Sequence, residues 1–193
     1  MTTAPERDVV DLLSADHREF DRLFRELEDL AGRSGDEDLR RKRELVDEVT
    51  IGIVKHSVAE ETQVYPLVED ELDREEAERS KHEHGEAEET MKRLERMDPG
   101  DAGFDAEVAT LAREIREHVA HEEGRMFAEL RQSLPADRLV ALAHDVERVK
   151  ANAPTRPHPM TPNEAGVRTA LGPVAGLLDQ LRDAVTGRGK RSG

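Results

Sequence analysis

The chain has no cysteine and no tryptophan, and its 193 residues include only four phenylalanines and one tyrosine. Without cysteine there is no disulfide, no thiolate metal site, no cysteine nucleophile and no iron–sulfur cluster held by cysteine. No apolar run approaches the ~18–20 residues of a membrane span, and the N-terminus lacks the apolar segment of a secretion signal. These absences lead us to expect a soluble, cytoplasmic protein.

Charged residues are abundant in this chain, in contrast to aromatic residues. Charged residues make up 38% of the chain and hydrophobic residues 36%, and the formal net charge is −15. A protein this acidic repels nucleic acid and anionic membranes, so we expect neither as a partner. Leucine, alanine, glutamate and arginine dominate, which favours helix. The composition therefore predicts an all-α fold.

Apolar residues recur at helical spacing in four long segments separated by short polar ones. We expect the first helix to start near Thr3, and Pro66 to kink or weaken the end of the second. Short connections favour an up-down-up-down four-helix bundle with a C-terminal helical extension. The predicted helices cover about residues 3–31, 36–72, 73–97 and 104–132.

Three regions follow from this pattern. Residues 1–132 form the predicted bundle, and residues 133–151 form an additional packed helix. Residues 152–193 are expected to be a Pro-rich linker, a short amphipathic helix near 163–186 and a basic disordered tail. We expect the amphipathic helix to fold back on the bundle or to dock a protein partner or a second copy of the chain.

Two predicted helices repeat a His-x-x-x-Glu spacing, as His56 with Glu60 and His118 with Glu122. Residues four apart share one helix face, and here that face is the apolar stripe that should point into the bundle. The corresponding stripes of the other two helices carry His17 and His84. Buried charges without partners cost several kcal/mol each, and a bound metal removes that cost. The pattern therefore predicts a metal site inside the bundle.

The ligand types narrow the choice of metal. Imidazole and carboxylate ligands without thiolate suit iron, manganese or zinc. Six protein ligands exceed what one tetrahedral zinc needs. They suit two octahedral ions bridged by carboxylates, at the roughly 3.5–4 Å separation of two-metal sites. A ferritin-like oxidase would show Glu-x-x-His at a spacing of three instead, and a bundle without metal is the remaining alternative.

The order and spacing of these residues resemble the hemerythrin-like (HHE) cation-binding family, in its bacterial and actinobacterial form. The resemblance covers about residues 8–132. The motifs that carry it are Asp16-His17-Arg18-Glu19-Phe20, His56-x-x-x-Glu60-Glu61 before Tyr65-Pro66, Glu83-His84, and His118-x-x-His121-Glu122-Glu123 before Met126-Phe127.

The resemblance implies two iron ions, Fe2+ or Fe3+, joined by an oxo or hydroxo bridge. It implies a function in binding or processing a small oxidant, namely O2, H2O2 or NO, with peroxide decomposition as the candidate activity if turnover occurs. The alternative is an iron-responsive sensor or iron-handling module without turnover. By family motif the metal ligands are His17, His56, Glu60, His84, His118 and Glu122, with Glu60 and Glu122 as bridges.

The chain departs from the oxygen-carrying members of that family at two positions. Glu88 stands where those proteins have a second histidine after His84, and His118 is followed by Glu122 and Glu123 rather than by an aspartate five residues on. A site richer in carboxylate favours oxidised iron, so we expect sensing, peroxide chemistry or iron binding rather than oxygen carriage. Candidates for additional ligands or for partners of the ligands are Glu61, Glu88, His121 and Tyr65.

Overall fold

A computed structural model describes residues 7–157, which are mostly helical and contain no strand. The expected all-α class is confirmed. No helix in this range is long and apolar enough to cross a membrane. The helices are α1 (Val9–Asp29), α2 (Asp36–Ala59, Glu60–Val64 and Tyr65–Glu71), α3 (Arg74–Arg96), α4 (Phe104–His121, Glu122–Met126 and Phe127–Ser133) and α5 (Ala136–Asn152).

Helices α1 to α4 form the bundle. Each packs against its neighbour in sequence, and α1 also contacts α4, which closes the ring of four. Short connections make neighbouring helices antiparallel. Helix α5 lies outside this ring and packs against α1 and α2.

The first helix begins later than the sequence predicts. Arg7 and Asp8 are not helical, and Asp8 acts as the N-cap of α1, its Oδ1 accepting a hydrogen bond from the Asp11 backbone N–H at 2.8 Å. The expected capping box from Thr3 to Glu6 lies outside the described residues. At the other end of α1, Gly32 has a φ of +76°, a conformation that glycine adopts without strain.

Helices α2 and α4 each widen into one π-helical turn, Glu60–Val64 and Glu122–Met126. The sequence predicted uninterrupted α-helix at both places, with a kink at Pro66. Pro66 instead lies in the first turn after the π-helical segment, where its missing N–H is tolerated, and the helix continues to Glu71. Each π turn begins at a glutamate of a His-x-x-x-Glu pair, and such turns are frequent at functional sites.

The apolar core is divided into two clusters by a polar layer. Leu13 belongs to one cluster and Phe20 to the other, and buried His17 lies between them on α1. Glu60 and Glu122 are fully buried in the same region. The centre of the bundle is therefore occupied by polar side chains, and their burial must be compensated by hydrogen bonds, ion pairs or a bound cation.

The chain continues past α5 along the bundle surface. Residues 153–155 are buried, and Arg156 Nη1 lies 3.3 Å from Glu95 Oε1 on α3. The start of the expected Pro-rich linker is thus packed. The expected amphipathic helix near 163–186 and the basic tail lie outside the described residues.

Candidate metal centre

All six predicted ligands lie in the polar layer, and none is more than 6% exposed. Helices α1 and α3 contribute one histidine each, and α2 and α4 contribute one histidine and one glutamate each. Heptad spacing on four helices therefore brings together side chains separated by up to about a hundred residues of sequence. The six are His17, His56, Glu60, His84, His118 and Glu122.

The four imidazoles form two pairs that meet through their Nε2 atoms. His17 Nε2 lies 3.1 Å from His56 Nε2, and His84 Nε2 lies 3.1 Å from His118 Nε2. The carboxylate of Glu60 is divided between the pairs: Oε1 is 3.0 Å from His56 Nε2, and Oε2 is 3.4 Å from His84 Nε2.

Glu122 faces the same two pairs from α4. Its Oε2 is 3.4 Å from His17 Nε2 and 3.4 Å from His118 Nε2. Two groups of ligand atoms, each within 4.8 Å of one another, result from this arrangement. One group contains His17, His56, Glu60 and Glu122, and the other contains Glu60, His84 and His118.

The chemistry of these atoms fits a metal cation. Glu60 Oε1 and Glu122 Oε2 are buried and have no hydrogen-bond donor while the imidazoles are neutral, a costly state for an ionised carboxylate. Imidazole Nε2 atoms that approach to 3.1 Å need a proton or a cation between their lone pairs. A metal ion satisfies both requirements at once, because it accepts electron pairs from nitrogen and oxygen.

The outer nitrogen of every imidazole is held by a carboxylate from the adjacent helix. This leaves each Nε2 free to bind metal, since the hydrogen bond fixes the tautomer with the proton on Nδ1. The four Nδ1···O distances are 2.9 Å for His56 with Asp16, 3.0 Å for His84 with Glu61, 3.0 Å for His118 with Glu83, and 2.9 Å for His17 with Glu123.

These contacts run once around the bundle. Each helix supplies the carboxylate that holds the histidine of the next helix in the chain, and α4 supplies the carboxylate that holds the histidine of α1. We call this set the carboxylate ring. Sequence reasoning selected Glu61 but missed Asp16, Glu83 and Glu123. The signal was present: an acidic residue directly precedes His17 and His84 and directly follows Glu60 and Glu122.

An aromatic residue follows each π turn at the same spacing, Tyr65 after Glu60 and Phe127 after Glu122. The buried Tyr65 hydroxyl donates to Glu122 Oε1 at 2.9 Å and lies 3.2 Å from His84 Nε2. Phe127 stacks on the His17 ring, with centroids 5.6 Å apart and planes 8° apart. The two halves of the centre therefore differ by one hydroxyl.

The remaining candidates lie outside both ligand groups. Glu88 is one turn from His84, but its Oε1 pairs with Lys92 Nζ at 2.9 Å. His121 Nδ1 is 2.8 Å from Glu83 Oε1, and 36% of the His121 side chain is exposed. His121 thus supports the carboxylate ring, and the partly buried Glu88 is paired with Lys92.

In the metal-free chain the pKa of two ligands is strongly raised. Burial opposes the charged imidazole of His56, but the carboxylates of Glu60 and Asp16 outweigh it and raise the pKa of His56 to about 9. Burial likewise opposes protonation of His118, and Glu122 raises its pKa to about 10. The carboxylates of the site therefore hold protons on these imidazoles when no metal is present.

Other groups are held in one state. Burial, reinforced by the carboxylates of Glu122 and Glu60, raises the pKa of Tyr65 well above its usual value, so the phenol keeps its proton. Burial raises the pKa of Glu83, but the hydrogen bond to His118 outweighs this effect and lowers that pKa to about 2. Tyr65 is thus a hydrogen-bond donor and Glu83 an acceptor at neutral pH.

Comparisons with known proteins agree with this geometry. The family model described as "Hemerythrin HHE cation binding domain" matches residues 8–130. An uncharacterized hemerythrin-like protein of Schizosaccharomyces pombe is 31% identical over 134 residues, which are 68% of this chain and 66% of that protein. The chain thus spans just under two thirds of that relative. No solved structure gives a significant match.

Proposed function

Because the chain belongs to the hemerythrin HHE cation-binding family, we propose that its metal centre holds two iron ions that bind or process a small oxidant, namely O2, H2O2 or NO. One observation carries the proposal: Glu60 offers one carboxylate oxygen to each of two imidazole pairs. A single ion would leave one pair without a partner. Imidazole with carboxylate suits iron, and the family supports it over manganese or zinc.

Each ligand would bind through an atom that is already oriented. The carboxylate ring holds the protons on Nδ1, so the four Nε2 atoms would be the nitrogen donors, and Glu60 and Glu122 would supply the carboxylate oxygens. When bound, reduced iron supplies electrons and an open coordination position for the oxidant. The apolar clusters on both sides of the polar layer would limit the access of water to the site.

The two sides of the centre are unequal, which favours one side for the oxidant. The group with His84 and His118 contains one protein ligand fewer than the other group. The Tyr65 hydroxyl lies beside it, 3.2 Å from His84 Nε2. A small molecule on this side would meet a hydrogen-bond donor that the His17 side lacks, since Phe127 stands there.

The test is iron loading followed by oxidant addition. Protein purified from iron-supplied cells should contain about two irons per chain. Glu60→Gln should reduce that content to about one or less, because the shared oxygen is lost, whereas Glu88→Gln should leave it unchanged. Less than about one iron per two chains in the unmodified protein would contradict the proposal.

The reaction itself is tested on the same material. The anaerobically reduced protein is mixed with O2, H2O2 or NO, and the near-ultraviolet and visible absorption is followed. We expect rapid change with at least one oxidant. Absence of any change with all three would refute oxidant processing, and a stable, reversible O2 adduct would assign the protein to oxygen carriage.

An iron-responsive sensor without turnover is the second candidate, and the composition of α3 favours it. Its buried residues are Ala77, Ser80, His84, Ala87, Thr90, Met91 and Leu94, of which only Met91 and Leu94 are large and apolar. A helix so weakly anchored would depend on the metal for order. Equal hydrogen-exchange protection of α3 with and without iron would contradict this role.

A further inference from the structure

Helix α5 reaches the metal centre through Lys150. The Lys150 Nζ lies 2.5 Å from Asp16 Oδ2, and that same oxygen accepts the Nδ1–H of His56 at 2.9 Å. Both the lysine and the aspartate side chain are 21% exposed. Lys150, which lies on a helix outside the bundle, thus forms an ion pair with the carboxylate that orients His56 inside it.

The carboxylate that holds His118 is paired with a basic side chain of its own helix. Glu83, which holds His118, receives Arg79 Nε at 3.0 Å from one turn earlier on its own helix. The residue one turn before Asp16 is Leu12, an apolar side chain packed against the core. Helix α1 therefore cannot supply the cation that α3 supplies, and α5 does so.

Packing fixes the lysine where it is needed. Val146, one turn before Lys150, is fully buried, and Leu139 and Leu142 of α5 are also buried in the apolar cluster that includes Leu13. Apolar side chains held in this way define the position of the helix to which Lys150 is attached. The ammonium group is thus presented to Asp16 by a rigid element rather than by a loop.

We propose that Lys150 is a positioning residue of the metal centre, which holds Asp16 in place and through it orients the imidazole of His56. Helix α5 is accordingly part of the metal-binding unit. The inference rests on the metal site of the proposed function, but on neither iron nor the oxidant. Ligand orientation by outer hydrogen bonds affects metal affinity by roughly 10–100-fold when the partner itself is lost.

The experiment measures Co2+ binding to the full chain by chelator competition, together with the visible spectrum of the bound cobalt. Lys150→Met should weaken binding by about three- to tenfold and alter the spectrum, since Asp16 loses one of its two restraints. Lys150→Arg keeps the charge and should stay within about twofold of the unmodified chain. The matched control is Arg148→Met, because Arg148 pairs with Asp145 on the surface of α5.

A double-mutant cycle separates this role from general support by α5. Asp16→Asn alone should weaken Co2+ binding by about 10–100-fold. Adding Lys150→Met to it should cause no further loss, because the lysine acts only through the aspartate. Multiplying effects in the double variant would overturn the inference, as would unchanged affinity and spectrum in Lys150→Met or an equal loss in Arg148→Met. Lys150→Gln repeats the test if the methionine variant does not fold.

A metal-free measurement keeps the two proposals separable. In nitrogen-15 NMR of the apoprotein, the Nδ1–H of His56 should exchange faster with water in Lys150→Met than in the unmodified chain or in Arg148→Met. Equal exchange would refute the role of Lys150, whatever metal the site holds. Cobalt binding that follows the predicted pattern in a protein that is inert to all three oxidants would refute the proposed function alone.

Discussion

Metal loading should release protons, and the number follows from His56 and His118. In the metal-free chain their pKa values are about 9 and about 10, so both imidazoles are protonated at pH 7. Metal binding needs the Nε2 lone pair, and the proton must therefore leave. Because the pKa of each of these histidines is raised, each one carries a proton that the metal must displace.

The protein side chains should release about two protons per fully loaded chain at pH 7. The carboxylates add none, because Glu122 and Glu60 have lowered pKa values and are already ionised. Tyr65 adds none while it remains a phenol. The overall constant for binding both ions should accordingly rise about a hundredfold per pH unit up to about pH 9, which is about tenfold for each ion, and more slowly above that pH.

The assay is a calorimetric titration with Fe2+ under anaerobic conditions, carried out in two buffers that differ in ionisation enthalpy. The difference between the two observed enthalpies, divided by the difference between the ionisation enthalpies of the buffers, gives the number of protons released. His82→Gln is the control, because the His82 side chain is 79% exposed and should release nothing. Fewer than about one proton per loaded chain, or an affinity that is flat between pH 6 and 9, would refute the reasoning.

The same pKa values fix the sign of the pH dependence of stability in the metal-free protein. A pKa raised on folding means that the folded state binds the proton more tightly, so this stabilisation is fully present below about pH 6.5. It is lost as the pH rises through the folded values of about 9 for His56 and about 10 for His118. The apoprotein should therefore melt at a lower temperature at pH 10 than at pH 7.

Two further substitutions test individual contacts by thermal unfolding of the metal-free chain. Tyr65→Phe removes the 2.9 Å hydrogen bond to Glu122 and should cost about 1.5–3 kcal/mol, so an unchanged melting temperature would contradict that bond. Gly52→Ala places a Cβ 2.8 Å from Phe20, whereas Gly85→Ala meets nothing within 4 Å. Both gain helix propensity, so Gly52→Ala should be less stable than Gly85→Ala by about 1–3 kcal/mol of overpacking, and equal stability would refute the clash.

The clustering of the six predicted ligands could be predicted from the sequence because the spacing of residues on a helix determines the face on which each side chain lies. A histidine and a glutamate four residues apart must share a face, and the apolar residues above and below place that face inward. The same reasoning placed His17, which lies between Leu13 and Phe20 on one stripe. No knowledge of neighbouring helices was needed for these residues.

Features that depend on contacts between helices could not be found in this way. The π turns at Glu60 and Glu122 have no signature in helix propensity. The pairing of Lys150 with Asp16 joins residues 134 positions apart. Glu88 shows the converse: its position one turn from His84 suggested a ligand, but Lys92 one turn further on attracts its carboxylate.

The carboxylate ring and the histidines that it holds are arranged as two repeats of one sequence pattern. Helices α1 and α2 form one hairpin with an acidic residue before its first histidine, a His-x-x-x-Glu-Glu motif and an aromatic ring five residues after the first glutamate, and α3 and α4 repeat that order. Each hairpin supplies half of the ligands and depends on the other for half of its supports. The two hairpins thus repeat one set of motifs in the same order. The neighbours of the two imidazole pairs nevertheless differ, because the Tyr65 hydroxyl lies beside the His84 imidazole and Lys150 contacts the carboxylate that holds His56.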